Sequence, residues 1–453
     1  MSAFVLLMFC LSGVVLNHRD WFESAEVNRS VLPPWYKFRN WNGGLLRGTL
    51  AYGDSVLVYG SNGMWLTDRT GSSIKDFNKG FPEGADNRQI RSVVAGNEGF
   101  YAATPTAVYH LEEGIWQKLP LDNEDRLSDL TVKGDTLIAV GRSHLYISTG
   151  GIFNRHSLKA SPDADGKVTL FRTVWMLHNG ELFGIAGRII IDMLAFVLIV
   201  LSVTGVTLWL LPKNRKHRHP HVIKADFLLH NKVGKATIVL TLLIVITGWC
   251  LRPPVMIPLA LNKTRPIPST TLDSDNPWHD KLRMLRYDSQ AKDWLLSTSD
   301  GFYTLSSIDA SPKKLNDTPP VSVMGLNVFE RDSDGNWLCG SFSGMYRWDR
   351  NINIVTDYFS GKKAEAKSGP PFGKFAVSGY SKDFNAVVEY YDGTNAFPQP
   401  TELKNLPMSL WNVALEAHSG RLFIGSIATY LFIFITGIIA AWCLLSGWKV
   451  RKS

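Results

Sequence analysis

Long apolar runs separate the membrane-embedded parts of this chain from its polar parts. Residues 189–211 carry a single charge, Asp192, and residues 422–448 carry none. Both runs exceed the roughly 20 residues that a helix needs to cross the hydrocarbon core of a bilayer. Residues 1–16 and 236–251 are shorter uncharged runs, which flanking helical residues and snorkelling lysines extend to spanning length. The pattern predicts an integral membrane protein whose four transmembrane helices form a bundle.

The two long segments between these runs have the pattern of β-strands. Short stretches of β-branched and aromatic residues alternate there with glycine, aspartate and asparagine turns. An apolar–aromatic pair recurs at a spacing of roughly 40 residues, the period of a four-stranded propeller blade. The pairs are Met64-Trp65, Val108-Tyr109, Leu145-Tyr146, Phe302-Tyr303 and Met345-Tyr346, and residues 386–391 resemble a sixth unit. We expect one propeller-like all-β domain built from both inserts, with two separate antiparallel β domains as the alternative.

These patterns divide the chain into alternating spans and inserts. The net charge of +8 is concentrated beside the spans, so it does not indicate a nucleic-acid partner, and positive loops stay in the cytoplasm. Both β inserts then lie on the outer side, in the periplasm if the bilayer is a bacterial inner membrane. The expected segments are spans at 1–17, 173–211, 227–252 and 410–448, β inserts at 18–172 and 253–409, a basic cytoplasmic loop at 212–226 and a cytoplasmic tail at 449–453.

The spans share two motifs that indicate an internal duplication. Each span ends on a hydroxyl residue followed by glycine, and the second and fourth spans each begin with His-x-Gly-x-Leu-Phe, at His178 and His418. Small and hydroxyl residues are enriched where membrane helices pack together, which is the simplest explanation of a single such pair. Four pairs at matched positions favour a duplicated unit of span, outer insert and span. The pairs are Ser12-Gly13, Thr204-Gly205, Thr247-Gly248 and Ser446-Gly447.

Histidines at matched starts of membrane helices suggest a shared ligand. Two imidazoles from facing helices can bind the iron of a b-type haem, so His178 and His418 are predicted as one axial pair at the outer level. His230, at the cytoplasmic level, would be one ligand of a second, incomplete haem site. The missing side chains of Gly13 and Gly248, and of Gly205 and Gly447, would leave room for the two porphyrins. The alternative is that these histidines are interfacial caps or hydrogen-bonded residues of the bundle.

Two further features bear on this prediction. Arg188 lies one helical turn before Asp192, so it is expected either to pair with that carboxylate or to meet a haem propionate. Aligning Ser12-Gly13 on Thr247-Gly248 places the counterpart of His230 before Met1, so we expect a longer natural N-terminus that carries this ligand. The four cysteines show neither a disulfide framework nor a metal-binding spacing.

This set of motifs resembles the PepSY-associated transmembrane family of bacterial inner-membrane proteins. The resemblance rests on residues 12–18, on His178 through Arg188, on residues 204–209, on His230 with Gly234 and on residues 418–421. It implies haem b between the helices, with His178 paired to His418 and His230 as half of another site. Members of that family include iron-regulated membrane proteins and ferrisiderophore reductases. The inserts depart from the family, because they lack recognisable PepSY modules.

The sequence therefore leads to two functional hypotheses. In the first, a haem b oxidoreductase of the inner membrane passes electrons outward from a donor that the sequence does not identify. Its acceptor would be a ferric chelate or ferrisiderophore in the periplasm, and its enzymatic activity would be that of a ferric reductase. In the second, the chain is a membrane-anchored β-propeller that binds a ligand or senses one, without redox chemistry. A haem spectrum of the purified protein separates the two.

Overall fold

The computed structural model describes residues 2–122, 125–210, 220–322, 324–364, 373–423 and 426–449. It divides the chain into two compact units. The helical unit comprises Met1–Glu23, Gly166–Ser274 and Leu410–Ser453. The β unit comprises Ser24–Asp165 and Asp275–Ser409. Both predicted inserts thus contribute to a single β unit, and the alternative of two separate β domains is wrong.

The helical unit contains seven α-helices within the described residues. Three apolar helices reach membrane-spanning length, at Glu181–Leu210, Pro220–Cys250 and Ala428–Ser446, whereas Ala3–Asn17 is a shorter apolar helix. Length and composition therefore support three of the four predicted spans and leave the first below spanning length. The helices are α1 (Ser2–Asn17), α2 (Leu170–Asn179), α3 (Gly184–Leu210), α4 (Pro220–Cys250), α5 (Met256–Leu261), α6 (Leu410–His418) and α7 (Ser426–Lys449).

The second predicted span, 173–211, is broken into α2 and α3 by a glycine corner. Gly180 takes the left-handed conformation, with φ of +84°, that L-residues with side chains rarely adopt. A Cβ on Gly180 would lie 2.5 Å from the carbonyl oxygen of Gly187, so a side chain there would collide with α3. The fourth predicted span, 410–448, is interrupted in the same way, since α6 ends before Gly420, which has φ of +76°. His178 and His418 therefore lie at the ends of short helices.

The predicted cytoplasmic loop, 212–226, is shorter in the structure. Helix α4 already begins at Pro220, and proline is favoured in the first turn of a helix, where its missing N–H costs no hydrogen bond. Residues 211–219, with most of the basic charge and with His217 and His219, lie outside the described residues.

The first part of the β unit contains three antiparallel four-stranded sheets in chain order. Strand β1 (Glu26–Val27) precedes them. The first sheet contains β2 (Gly48–Tyr52), β3 (Ser55–Gly60), β4 (Gly63–Thr67) and β5 (Lys75–Asp76). The second contains β6 (Ser92–Gly96), β7 (Gly99–Ala103), β8 (Val108–Glu112) and β9 (Ile115–Lys118). The third contains β10 (Leu127–Lys133), β11 (Thr136–Gly141), β12 (Leu145–Thr149) and β13 (Ile152–His156).

Two short strands in the helical unit, β14 (Val168–Thr169) and β15 (Lys263–Thr264), pair with each other. The second part of the β unit then adds two four-stranded sheets and a hairpin. One sheet contains β16 (Leu282–Asp288), β17 (Asp293–Thr298), β18 (Gly301–Leu305) and β19 (Lys313–Lys314). The other contains β20 (Leu326–Arg331), β21 (Trp337–Ser341), β22 (Gly344–Asp349) and β23 (Ile354–Asp357). The hairpin is β24 (Val377–Ser381) and β25 (Ala386–Glu389), and β26 (Met408–Ser409) pairs with β1.

The predicted apolar–aromatic pairs all fall on the third strand of a sheet, on β4, β8, β12, β18 and β22. The predicted sixth unit is different, because β24 and β25 do not form a sheet of their own. Strand β24 pairs in parallel with β2, at Gly48 and Tyr380, and extends the first sheet to six strands. The period near 40 residues thus identified the repeating sheet correctly, and the closing hairpin joins the end of the unit to its beginning.

Candidate functional site

His178 lies at the C-terminal end of α2 and contacts a hydroxyl–glycine pair on α4. Its Nδ1 is 3.0 Å from the hydroxyl oxygen of Thr247. The neighbouring Gly248 faces the same imidazole, since a Cβ added there would be 3.1 Å from Cε1 of His178. Thr247 and Gly248 therefore act together, the first as a hydrogen-bond partner of the ring and the second as the space into which the ring fits.

His418, at the end of α6, makes the equivalent contacts with α1. Its Nδ1 is 3.0 Å from the hydroxyl oxygen of Ser12 and 3.1 Å from the carbonyl oxygen of Phe9. A Cβ on Gly13 would lie 3.6 Å from Cε1 of His418. The duplicated His-x-Gly motif thus meets the duplicated hydroxyl–glycine motif twice, with the same chemistry in both copies.

His230 on α4 repeats the arrangement a third time, against α3. Its Nδ1 is 2.9 Å from the hydroxyl oxygen of Thr204, and a Cβ on Gly205 would lie 3.4 Å from its Cε1. Ser446 and Gly447 form the fourth hydroxyl–glycine pair, near the end of α7. The side-chain environment of Gly447 lies outside what the structure describes.

The hydroxyl groups determine which ring nitrogen carries the proton. Thr247 donates its own hydrogen to the carbonyl oxygen of Leu243 at 2.7 Å, and Thr204 donates to that of Val200 at 2.9 Å. A hydroxyl that gives its one hydrogen to a carbonyl oxygen can only accept at the histidine contact, and in this arrangement Nδ1 carries the N–H. For His418 the acceptor carbonyl of Phe9 leads to the same assignment. In all three histidines Nε2 is therefore the unprotonated nitrogen, the form in which imidazole binds a metal.

His178 and His418 are brought together, whereas their separation in sequence is 240 residues. Their ring centres are 6.2 Å apart, and the ring planes are inclined by 65°. Two imidazoles bound on opposite sides of one metal ion, with metal–nitrogen bonds of about 2 Å, place their ring centres roughly 6 Å apart. The pair thus has the spacing that bis-histidine ligation requires.

The surrounding residues indicate the kind of metal that this pair suits. Among the described residues, no group of three or more His, Cys, Asp or Glu side chains is placed to hold a metal ion. Two imidazoles from different helices can serve as the axial ligands of a metal whose equatorial ligands come from a macrocycle, as in a b-type haem. The donor set of His178 and His418 therefore fits haem, with each ring oriented by a hydroxyl group. These hydroxyl contacts correspond to the outer-shell hydrogen bonds that commonly fix metal-binding histidines.

The glycines that were predicted to make room for the porphyrin lie next to the histidines. Gly13, Gly248 and Gly205 each face the edge of an imidazole. The sequence analysis missed the part played by Ser12, Thr204 and Thr247. The signal was present, because a hydroxyl residue precedes the glycine in all four pairs. Small-residue packing alone would not have required a hydroxyl at that position.

Arg188 and Asp192 do not form the predicted ion pair. The carboxylate of Asp192 instead contacts Nε2 of His18 at 2.8 Å and the amide nitrogen of Asn17 at 3.4 Å. Among the residues that the structure describes, Arg188 has no ion-pair partner, and it lines a pocket with His18 and Asp192. Asn17, the last residue of α1, and His18, which follows it, belong to the stretch on which the family resemblance rests, but no role was predicted for them.

Among the comparisons with known proteins, only the match to a family model is informative for this chain. No curated protein shows significant similarity to the chain. Two solved structures, both of the extracellular domain of BT4673 from B. thetaiotaomicron, are similar at 10% and 11% identity. The protein is described as a one-component system for the first of these structures and as a hybrid two-component system for the second. The alignments cover 80% of this chain but only 38% and 39% of those chains, with TM-scores of 0.34 and 0.35.

The family comparison is more direct. The matched region extends from the first helix through the first part of the β unit to the end of α3, and so contains Ser12, Gly13, His178 and Thr204. It is the same family that the motifs of the spans resemble. Residues 1–212 match the family model described as the PepSY-associated TM region, so this part of the chain is a PepSY-associated TM region in a membrane protein.

Proposed function

We propose that this protein is a haem b oxidoreductase of the bacterial inner membrane that passes electrons to an acceptor on the outer side. The observation that carries the proposal is the pair His178 and His418, whose ring centres are 6.2 Å apart. Each ring is held by a hydroxyl group at Nδ1, which keeps Nε2 free for iron. When bound there, haem would supply a one-electron redox couple whose potential depends on its axial ligands and burial.

The residues of the chain have separate tasks in this proposal. His178 and His418 would be the axial ligands, and Thr247 and Ser12 would orient them and maintain the tautomer. Glycine at positions 13 and 248 lets α1 and α4 approach the imidazoles closely. Because both rings are already held by hydrogen bonds, little side-chain freedom is lost when they bind iron, which favours cofactor affinity.

The acceptor proposed for the outer side is a ferric chelate or ferrisiderophore. The support for this substrate class is the match of residues 1–212 to the PepSY-associated TM region. Ferrisiderophore reductases and iron-regulated membrane proteins are among the members of the family that the motifs of this chain resemble. The electron balance is simple, since one ferric ion of the chelate takes one electron and becomes ferrous.

For the β unit we propose a propeller-like ring of five sheets closed by the β24–β25 hairpin. The first strands of the five sheets contact one another in the order β2, β6, β10, β16 and β20, and β24 of the hairpin contacts β20 and pairs with β2. Closure of a ring by strands from both ends of the chain is a common way in which propellers protect their sheet edges. The competing proposal is a ligand-binding or sensory function without redox chemistry. In that case the β unit would bind the ligand, and the helical unit would only anchor the protein in the membrane.

The full chain purified in detergent tests the proposal. We expect a Soret band and, after dithionite, a sharp α-band typical of low-spin bis-histidine haem. The substitutions H178A and H418A should each abolish this spectrum. H110A is the matched control, because His110 lies in the β unit and bonds to Glu112. A colourless protein that takes up no added haemin would favour the non-redox alternative, and an unchanged spectrum in either variant would disprove the pairing.

A further inference from the structure

A polar pocket lies where the end of α1 meets the start of α3 within the helical unit. Its volume is about 180 Å³, and its lining includes Asn17, His18, Trp21, Arg188 and Asp192. We call it the His18 pocket. None of these side chains belongs to the candidate haem ligands.

His18 and Asp192 form a dyad suited to accept a proton. Nε2 of His18 is 2.8 Å from a carboxylate oxygen of Asp192, so this nitrogen donates its N–H to the carboxylate. In the neutral imidazole Nδ1 is then the acceptor, and within the described residues it has no hydrogen-bond partner. Trp21 stacks on the ring, with centres 4.0 Å apart and planes inclined by 15°. A carboxylate that fixes and supports an imidazole is the arrangement by which enzymes make histidine a general base.

One hydrogen bond connects the pocket to the segment that carries His178. The amide nitrogen of Asn17, which also contacts Asp192, is 3.3 Å from the carbonyl oxygen of Asn179. Asn179 is the residue directly after His178. The lining of the His18 pocket is therefore connected by a hydrogen bond to the segment that carries the candidate ligand His178.

The charge of the pocket favours a neutral ligand over an anion. Arg188 contributes one positive charge, whereas Asp192 and Asp20, which also lines the pocket, contribute two negative charges. A phospholipid phosphate or a haem propionate would therefore meet net negative charge in the absence of a protonated His18. A neutral hydroxyl group that donates its hydrogen to Nδ1 fits this environment better.

The entrance of the pocket suits an amphiphilic molecule. Ile185 and Ile189, on the adjoining face of α3, also line the pocket and are 71% and 52% exposed. They belong to a helix of membrane-spanning length and composition. In a bilayer this exposed apolar surface would contact lipid chains, so an apolar tail could follow it while the polar head stays in the pocket.

We infer that the His18 pocket binds a lipid-soluble hydroquinone, which is the electron donor of this protein. The inference rests on the proposed haem function. Oxidation of one hydroquinone to the quinone breaks two O–H bonds and releases two protons and two electrons. The two electrons would leave one at a time by way of the candidate haem, which the proposed ferric acceptor would reoxidise after each transfer, while His18 accepts each proton at Nδ1 and passes it to water. Arg188 would donate a hydrogen bond to an oxygen of the bound ring.

Binding and reduction can be measured separately on the full-length protein in detergent, with decylubiquinone and its reduced form as probes. Calorimetric titration with decylubiquinone should give saturable binding, which R188Q weakens about tenfold. Stopped-flow mixing of the haem-loaded protein with the reduced probe should show growth of the α-band. H18Q and D192N should slow this step at least about 100-fold, the usual contribution of a general base. Reduction by dithionite should stay fast in both variants.

The control variants are R39Q, which removes a surface cation paired with Asp392, and H110Q. Both should behave like the unchanged protein. Haem-containing protein that neither binds decylubiquinone nor accepts electrons from its reduced form would overturn this inference and leave the haem proposal intact. A protein without a haem spectrum would instead overturn the proposed function, before any quinone is added. Loss of haem in R188Q would indicate that Arg188 binds a haem propionate. Displacement of decylubiquinone by phosphatidylglycerol would indicate that the pocket binds a lipid headgroup. Either result contradicts the inference.

Discussion

Replacing Thr247 by valine tests the central argument of the haem site, which is that a hydroxyl group orients each histidine. Valine has nearly the same shape as threonine, but it cannot accept the N–H of His178 that now lies 3.0 Å from the hydroxyl oxygen. The imidazole would keep its packing against Gly248 and lose its hydroxyl partner at Nδ1. The expected result is a properly inserted protein that binds haem less tightly.

The size of the effect can be worked out from the lost hydrogen bond. Removing an outer-shell partner of a metal-binding histidine typically lowers metal affinity about 10- to 100-fold. This factor corresponds to about 1.4–2.7 kcal/mol. We therefore expect the dissociation constant for haem to rise about 10- to 100-fold in T247V.

The assay is a titration of haem-depleted protein with haemin, followed at the Soret band. T241V is the matched control, because Thr241 lies on the same helix and its hydroxyl donates only to the carbonyl oxygen of Thr237. T241V should bind haem as the unchanged protein does. An unchanged affinity in T247V, or an equal loss in both variants, would refute the argument that the hydroxyl holds the histidine.

Three further predictions concern the glycines and the β unit. G248A should lower haem occupancy, because its Cβ would lie only 3.1 Å from the ring of His178. G13A should keep full occupancy, because its Cβ would lie at an ordinary contact distance of 3.6 Å from the ring of His418. The Soret absorbance measures the occupancy in both variants. D288N should lower the free energy of unfolding of the β unit by about 3–5 kcal/mol, since the buried carboxylate pairs with two arginines. Chemical denaturation measures this change, and an unchanged free energy of unfolding would contradict the prediction. Burial raises the pKa of Asp288, but hydrogen bonds, chiefly from Ala291, Trp337 and Arg350, leave it below its ordinary value, so this stabilisation is present above about pH 4 and lost on acidification. Residues 24–165 expressed alone should fail to unfold cooperatively, because their first sheet is extended by a hairpin from the second insert; a cooperative transition of this fragment would contradict that expectation.

The repeat of the β unit could be predicted because it is local. An apolar–aromatic pair marks the third strand of each sheet, and the spacing of the pairs follows from four short strands with tight turns. The closing hairpin could not be predicted in the same way. Strand β24 pairs with β2 across more than 300 residues, and no local pattern encodes the partner of an edge strand.

The spans were predicted from composition, but their interruptions were not. A hydropathy pattern cannot distinguish a continuous helix from two helices joined by a corner, since both bury the same apolar residues. The corner at Gly180 depends on a close approach to Gly187, which requires a left-handed residue. His178-Asn-Gly and His418-Ser-Gly carry this information, because glycine commonly ends helices in that conformation.

By itself, the sequence determined the membrane character, the duplicated His-x-Gly and hydroxyl–glycine motifs, and the identity of the two candidate ligands. Each of these follows from residue type and spacing along the chain. Only the tertiary structure decided which motif faces which histidine, because that depends on how α2 packs on α4 and α6 on α1. It also decided the partner of Asp192, which is His18, directly after α1, and not Arg188 on the same helix as Asp192. Spacing along one helix limits which residues can meet, but packing between segments selects the contact that forms, because a partly buried carboxylate is stabilised most by the donor that reaches it in three dimensions.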